Sequence, residues 1–469
     1  MLRTLAAAAV AALAAAVLAP PAAQARPNFV VVMAEAQGWS GGSSPMDDAN
    51  PASKSDLRRM PSLDRLCREG MRFASAYAAS PRCTPSRAAF LTGRSPAALH
   101  MTFIGEGRKE DADATNRPMT PPAASLELAA AETTVAELLR AEGYATAHFG
   151  KWHVGRADPR THGFDESDGA TSNAGPGNNR NPNPTEGYGM ADRGAAFVAR
   201  QVAAGRPFYL QISHYAGRSA ADALAETLAG VKARARGQDD RAVGAAAVAE
   251  DQDKALAVVL KKLDDLGVAG NTYVIYTADH GAPGRGANAP LTGGKGTVLE
   301  GGVRVPIVVR GPGVKPGACS HVRATGLDLM PTIADLAGVR APLPKAVEGG
   351  SLAAVLKGGG TGVVRRPREE FVVHFPHYDH DNDGPTSAIY LGDLKLIRTY
   401  GSNTVRLFDL AADPTEQRDL SKQMPEKAQD LDRRLAAYLK DVDAQMAKPN
   451  PAYDPKAAPE LLRPKKPKP

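Results

Sequence analysis

Pro27-Asn28-Phe29-Val30-Val31-Val32-Met33 is a continuous apolar run rich in β-branched residues, and it ends in Ala34-Glu35-Ala36-Gln37-Gly38. Apolar character sustained over strand length, without alternation, is the pattern of a strand buried on both faces of a parallel sheet. Two further stretches repeat it. Pro207-Phe208-Tyr209-Leu210-Gln211-Ile212-Ser213 runs into His214-Tyr215-Ala216-Gly217-Arg218, and Thr272-Tyr273-Val274-Ile275-Tyr276-Thr277 runs into Ala278-Asp279-His280-Gly281. A long helix is expected over residues 242–266, its apolar face built from Val248, Leu256, Val259, Leu260 and Leu263. Further helices are expected from Met60-Pro61, from Thr133-Thr134 to Gly143 and from Asp328, with strands from Tyr144 to Phe149 and from Val303 to Val309. The alternation predicts an α/β fold with a large, mainly parallel sheet flanked by helices. In such sheets ligands gather beyond the carboxyl ends of the strands, where Glu35, Asp279 and His280 fall.

Chemistry-bearing residues cluster around other turns as well. Cys83-Thr84-Pro85-Ser86-Arg87 opens an apolar helical run that stops at Gly93, placing a thiol at a helix N-terminus beside an arginine, an arrangement suited to an anion. The strand from Tyr144 delivers Gly150-Lys151-Trp152-His153; in an extended chain Lys151 and His153 point the same way. Gly293-Gly294-Lys295-Gly296-Thr297 resembles a fragment of a phosphate loop but lacks the nucleotide-binding spacing, although its glycines bring Lys295 and backbone N–H groups close to an anion. Residues 168–190, rich in Gly, Asn and Pro, form an irregular insertion of the kind that shapes a pocket.

The chain of 469 residues is long enough for two domains. Residues 1–25 read as a signal peptide, with Arg3 before an Ala/Leu/Val core and Ala23-Gln24-Ala25 as the cleavage site. No later segment is long enough to span, so a periplasmic or secreted protein without stable membrane insertion is expected. Part of the net charge of +6 belongs to a Pro/Lys-rich tail over 447–469, and nucleic acid is not implied. The texture changes near residue 340, which divides a domain over 26–340 from a smaller α+β domain over 341–446. That part carries strand patterns at Phe371 to Phe375, Ala388 to Leu391, Leu394 to Tyr400 and Val405 to Asp409, an expected antiparallel meander, then a helix over 426–446. Within it, His374-Phe375-Pro376-His377-Tyr378-Asp379-His380-Asp381 reads as a metal-binding stretch or a pocket rim, with His377 a candidate substrate contact. Cys67, Cys83 and Cys319 are too few for a disulfide framework, and a Cys67-Cys319 bridge stays open.

Together these stretches resemble the formylglycine-dependent sulfatases of the alkaline phosphatase superfamily, from Asn28 to roughly Tyr453. Cys83-Thr84-Pro85-Ser86-Arg87 with Leu91-Thr92-Gly93-Arg94 fits that family's maturation signature, and Gly150-Lys151-Trp152-His153 and Gly294-Lys295-Gly296-Thr297 fit two more of its motifs. The pattern from His374 to Lys395, with Phe408-Asp409-Leu410 and Asp413-Pro414, most resembles the N-acetylgalactosamine 6-sulfatase-like and arylsulfatase A-like branch. The resemblance implies that a maturation system oxidises Cys83 to formylglycine, whose hydrate attacks a sulfate ester of a carbohydrate or an aryl alcohol. It implies that Arg87 stabilises the hydrate, that Lys151 and Lys295 hold sulfate oxygens, that His153 positions the hydrate, and that His214 and Arg218 face the substrate. It also implies a divalent metal, Ca²⁺ in the first instance, on Glu35, Asp279, His280 and residue 83.

Three positions depart from the family pattern. The usual Asp-Asp after the first strand is Glu35-Ala36, the usual Asn after Asp279 is His280, and the family's active-site histidine falls at Arg218. Ca²⁺ takes about six to eight oxygen ligands, so these changes weaken its site and leave nitrogen-tolerant Mn²⁺, or Mg²⁺, as alternatives; either the site is rebuilt, with Asp47 or Asp48, or activity is reduced. Arg218 stays charged and cannot protonate a leaving alkoxide. Two other functions share the scaffold: a sulfatase-like protein that binds sulfated glycans without turnover, and a phosphoryl or phosphonate hydrolase, against which the complete Cys83 motif counts.

Overall fold

The computed structural model describes residues 26–104, 116–173, 179–180, 183–217, 220–284, 286–379, 382 and 384–456. The expected signal peptide, Arg218, His380, Asp381 and the end of the tail lie outside the described residues. The Asn28–Ala34 strand is buried along its whole length and lies between two parallel neighbours, Phe208–Ser213 and Thr272–Ala278. These three form the centre of an 8-stranded sheet whose order is Ala318–Ser320, Met71–Phe73, Ile307–Arg310, Thr272–Ala278, Asn28–Ala34, Phe208–Ser213, Ala145–Gly150 and Glu166–Ser167. The antiparallel pairings are those of Ile307–Arg310 with its two neighbours, which makes the sheet mixed but mainly parallel.

Alternate residues of the first strand belong to different cores, as a pleat of period two requires. Phe29, Val31 and Met33 pack with Phe90 and Leu91 of the Cys83–Thr92 helix and with Met330 and Ile333 of the Gly326–Ala337 helix. Val30, Val32 and Ala34 pack with Leu63 and Leu66 of the Pro61–Glu69 helix and with Leu256, Val259, Leu260 and Leu263 of the Asp240–Asp265 helix. Burying one such valine contributes roughly 1.5–3 kcal/mol, so this strand anchors both helical layers. Its register also sets the functional edge. Ala34 pairs with Ala278 and Gly150 with Ser213, so the next residues, Glu35, Asp279, Lys151 and His214, leave the sheet side by side.

The strand expected from Val303 begins later. Glu300–Val303 is a short helix and the strand is Ile307–Arg310. A Cβ on Gly301 would lie 2.4 Å from the Gly293 carbonyl oxygen and one on Gly302 would lie 2.0 Å from that of Thr297. This close approach to the Lys295 loop folds the chain into a turn before the strand starts.

Residues Val347, Leu352, Val355 and Leu356 pack in the first core, after which the chain builds a 4-stranded antiparallel sheet in sequence order: Phe371–Phe375, Thr386–Leu391, Leu394–Thr399 and Thr404–Asp409. One face takes Leu431, Leu435, Tyr438 and Leu439 of the Pro425–Asp441 helix. The other packs Val373, Phe375, Tyr390 and Phe408 against Tyr77, Ala89, Val298 and Val303 of the larger part. Charged groups are sealed in that seam. Glu300 accepts hydrogen bonds from Tyr77 Oη at 2.9 Å, Tyr390 Oη at 3.1 Å and Lys395 Nζ at 3.0 Å, and Lys395 also reaches Glu416 at 2.7 Å. Lys395 and Glu300 are both 0% exposed in their side chains. Lys395→Met strands two buried carboxylates and is expected to cost about 3–5 kcal/mol in urea unfolding. Lys261→Met, which breaks the exposed pair with Asp265, should cost under about 1 kcal/mol in the same measurement. Among the described residues, no helix is long and apolar enough to cross a membrane.

Candidate active site

Cys83 opens the Cys83–Thr92 helix, every residue of which is buried. Pro85 in the first turn removes an N–H that a helix start leaves unpaired, while Ser86 Oγ donates to Ser80 O at 2.7 Å and ties the turn back. Gly93, at φ 66°, ends the helix with its N–H on Ala89 O. The thiol is thereby fixed among side chains from three other segments. Its Sγ lies 3.2 Å from His280 Nε2 and 3.6 Å from both Glu35 Oε1 and Lys295 Nζ.

Glu35 is the hub. Its Oε2 accepts from Lys151 Nζ at 2.7 Å and from Arg87 Nη2 at 3.0 Å, and Lys295 Nζ stands 3.7 Å from Oε1. Arg87 also donates to Asp279 Oδ2 at 3.0 and 3.2 Å and to the Lys151 carbonyl at 2.7 Å. Burial raises the Glu35 pKa, but Lys151, Lys295 and Arg87 outweigh it and hold the carboxyl well below its usual range. Burial and the Glu35 charge push the Cys83 thiol up, and Lys151, Lys295 and His280 overcome them, so it too lies well below the ordinary thiol value. Asp279 goes the other way, raised by burial and by Glu35. Three cationic side chains thus converge on two carboxylates and a thiol in a buried site.

Ligand atoms of Glu35, Cys83, Asp279 and His280 all lie within 4.8 Å of one another. His280 Nδ1 donates to the Gly281 carbonyl at 2.9 Å, which in the neutral ring leaves the Nε2 lone pair on the Cys83 side. Ala36 adds no side-chain ligand; its N–H occupies Asp279 Oδ1 at 3.0 Å. The donor set is therefore two carboxylates, an imidazole and residue 83. It fits a nitrogen-tolerant divalent ion better than the all-oxygen cage Ca²⁺ prefers. Asp47 and Asp48 do not join this group: Asp48 pairs with Arg72 at 2.8 Å, and Asp47 lies with Cys319 and His321.

The histidines fall into two kinds. His153 has φ 59°, so the chain turns there instead of running extended from Lys151, and Thr171 secures the turn with its Oγ1 on Trp152 N at 3.0 Å and its carbonyl on His153 N at 2.9 Å. Both ring nitrogens of His153 and Nδ1 of His214 are buried without a protein partner among the described residues. Burial lowers His214 to about 4, with Arg87 adding to the shift. His377, by contrast, is engaged internally: Nε2 meets Thr102 Oγ1 at 2.8 Å and the ring packs against Phe103 and Phe375. Its neighbour His374 bonds Ser387 Oγ at 2.7 Å and Gln445 O at 2.9 Å.

One pair near the site escaped the sequence reading. Arg82, immediately before Cys83, forms an ion pair with Asp379 from the loop after Phe371–Phe375, and the Asp379 carboxylate rests against Gly296 beside Lys295. The C-terminal sheet therefore touches both the helix that carries Cys83 and the loop that carries Lys295. Asp379 was visible in its ligand-dense stretch, but nothing in the sequence paired it with Arg82.

A family model described as Sulfatase matches residues 27–339. The chain belongs to the sulfatase family. A second model, N-sulphoglucosamine sulphohydrolase, C-terminal, matches residues 294–445. This sulfatase-family chain is 31% identical over 372 residues to N-acetylgalactosamine-6-sulfatase of Canis lupus familiaris, covering 71% of this chain and 66% of that protein, slightly under two thirds of its length. It is 26% identical to steryl-sulfatase of Rattus norvegicus, covering 94% of each. In fold it is similar to Ps i-CgsB in complex with k-i-k-neocarrahexaose, with TM-score 0.71, 20% identity and coverage of 91% of this chain and 94% of that one. It is likewise similar to BT4656 in complex with its substrate D-glucosamine-2-N,6-O-disulfate, with TM-score 0.65, 19% identity and coverage of 89% and 98%.

Proposed function

We propose that this sulfatase-family chain is an exported sulfuric ester hydrolase acting on a sulfated carbohydrate, with residue 83 converted to formylglycine. The observation that carries the proposal is the convergence of Lys151, Lys295 and Arg87 on Glu35 and Cys83, a cationic clamp around a residue with a complete maturation motif. The sugar sulfates named for the canine relative and in the BT4656 complex support the substrate class. As a hydrated formylglycine, residue 83 would supply an oxygen nucleophile for sulfur, breaking the S–O bond to the sugar alcohol, and a second hydroxyl whose collapse to the aldehyde would release sulfate. Lys295 and Lys151 bind the sulfate oxygens and stabilise the charge that develops on them. Arg87, locked by Asp279 and the Lys151 carbonyl, keeps that geometry rigid. A divalent ion held by Glu35, Asp279 and His280 would add Lewis-acid polarisation at residue 83. With His214 neutral at pH 7, it orients or accepts a proton and does not begin the reaction as an acid.

Expression with a formylglycine-generating system, followed by mass analysis of the peptide containing Cys83 and an aryl sulfate assay, tests the proposal. Conversion of the thiol to an aldehyde together with turnover supports it. An unmodified thiol in a competent host overturns it. A second reading, a glycan-binding protein without turnover, draws on the departure at Ala36 and predicts sulfated-sugar binding with no hydrolysis after full conversion.

Ala36 makes the metal argument testable. Its φ of 53° is a left-handed conformation that Asp adopts several-fold more readily than Ala, so Ala36→Asp meets no backbone obstacle. We expect it to tighten divalent-cation binding by at least about tenfold, with the gain larger for Ca²⁺ than for Mn²⁺, as read by calorimetric titration. Equal affinities before and after would show that another ligand already fills that position.

A further inference from the structure

Away from the Cys83 centre, the loop after the first strand and the edge strand of the sheet bring together a second set of ligand-type side chains. Asp47, Cys319 and His321 place a carboxylate oxygen, a thiol sulfur and an imidazole nitrogen within 4.8 Å of one another. Cys319 lies on the Ala318–Ser320 strand, and His321 follows two positions later, at the spacing that returns a side chain to the same face. Asp47 comes from the opposite side, on a loop pinned by Ser53: its own N–H bonds Ser53 Oγ at 3.0 Å and its Oδ1 accepts from Ala49 N at 2.9 Å. Cys319 Sγ faces Met46 O at 3.6 Å, and His321 Nε2 is 4.0 Å from Asp47 Oδ1. Arg72, which pairs with Cys319 across the neighbouring strand, is already engaged by Asp48 at 2.8 Å and Pro45 O at 2.7 Å.

We propose that Asp47, Cys319 and His321 form a second metal site, for a Zn²⁺-class cation, independent of the Cys83 centre and of the reaction assigned to it. Sulfur, imidazole and carboxylate together select a borderline ion over Ca²⁺ or Mg²⁺, and three protein ligands leave the fourth tetrahedral position to water. Tetrahedral Zn²⁺ requires donors roughly 3.3–3.7 Å apart, given its bond lengths of about 2.0–2.3 Å. The separations here are at most 4.8 Å, so the donors close by no more than about 1.1–1.5 Å to reach it. His321, with 63% of its side chain exposed, has the freedom to close them. Metal bound here would clip the loop that leaves Glu35 to the far edge of the sheet. It would also occupy a thiol that has no disulfide partner, since Cys67, Cys83 and Cys319 are all free.

Cobalt titration of the full-length Cys83→Ser protein under reducing conditions tests the site, because a thiolate-to-Co²⁺ charge-transfer band reports sulfur ligation and residue 83 no longer offers sulfur. The expected result is a thiolate band that saturates within two equivalents, the Glu35 centre taking the other ion, and is bleached by Zn²⁺. It should be retained in Cys83→Ser/Cys67→Ser, lost in Cys83→Ser/Cys319→Ser, and shifted to at least about tenfold weaker binding in Cys83→Ser/His321→Ala. No band in Cys83→Ser, or a band indifferent to Cys319→Ser, overturns the site. Should Cys83→Ser fail to fold, the rise in unfolding midpoint with Zn²⁺ is compared between the wild-type chain and His321→Ala. A smaller rise in the variant supports the proposal, the remainder coming from the Glu35 centre, and an equal rise in both overturns it.

Discussion

Cys83→Ala is expected to reduce aryl sulfate turnover by at least about 10⁴-fold while leaving the affinity for a sulfated sugar within a few-fold of the parent. The side chain removed is the proposed nucleophile, and the groups proposed to bind sulfate are untouched: Lys151 stays on Glu35, Lys295 stays in its glycine-flanked loop, and Arg87 stays locked on Asp279. The loss should therefore fall in kcat, with little change in the binding of unreacted ester measured by calorimetry. A cysteine that serves only packing gives the reverse, a stability change without a catalytic one. Turnover in Cys83→Ala close to that of the parent would remove residue 83 from the reaction.

The second large effect is acid sensitivity of the fold. Burial lowers His148 to about 3, His374 to about 4 and His377 to about 3, the first with help from Arg87 and the last from His374. In the unfolded chain each returns to about 6.5. A base with a depressed folded pKa stabilises the fold above its unfolded pKa and withdraws that contribution as pH falls towards the folded value, because the unfolded state then binds the extra proton. At pH 5 each of the three has lost about 2 kcal/mol, so together these histidines withdraw on the order of 6 kcal/mol relative to pH 7. Urea unfolding at the two pH values reads this directly. Midpoints that coincide would mean that these rings protonate without leaving the folded state.

The sheet was legible because its central strands carry their environment in composition. A run such as Phe29-Val30-Val31-Val32-Met33 has no other stable home than a layer covered on both sides. The residues just past those strands were legible for the same reason, since parallel register carries them to one edge. What sequence did not carry were approaches set by tertiary packing. The glycines before Val303 gave no warning that they abut the carbonyls of Gly293 and Thr297, which is why a helical turn still holds Val303 and the strand starts only at Ile307. Arg82 and Asp379 are 297 positions apart, and an arginine and an aspartate taken singly look like solvated charges. The same holds for Glu300 and Lys395, whose chemistry exists only where the two sheets meet.

That buried seam has a consequence for how such chains can be cut and recombined. The C-terminal sheet supplies Lys395 to Glu300, and Glu300 sits a few residues after Lys295, so the loop proposed to bind sulfate is folded from both sides at once. A module exchanged between relatives at residue 340 would part Glu300 from the lysine that neutralises it. A junction placed before residue 294 carries loop, glutamate and sheet as one heritable unit, and the match of the C-terminal family model begins at that residue.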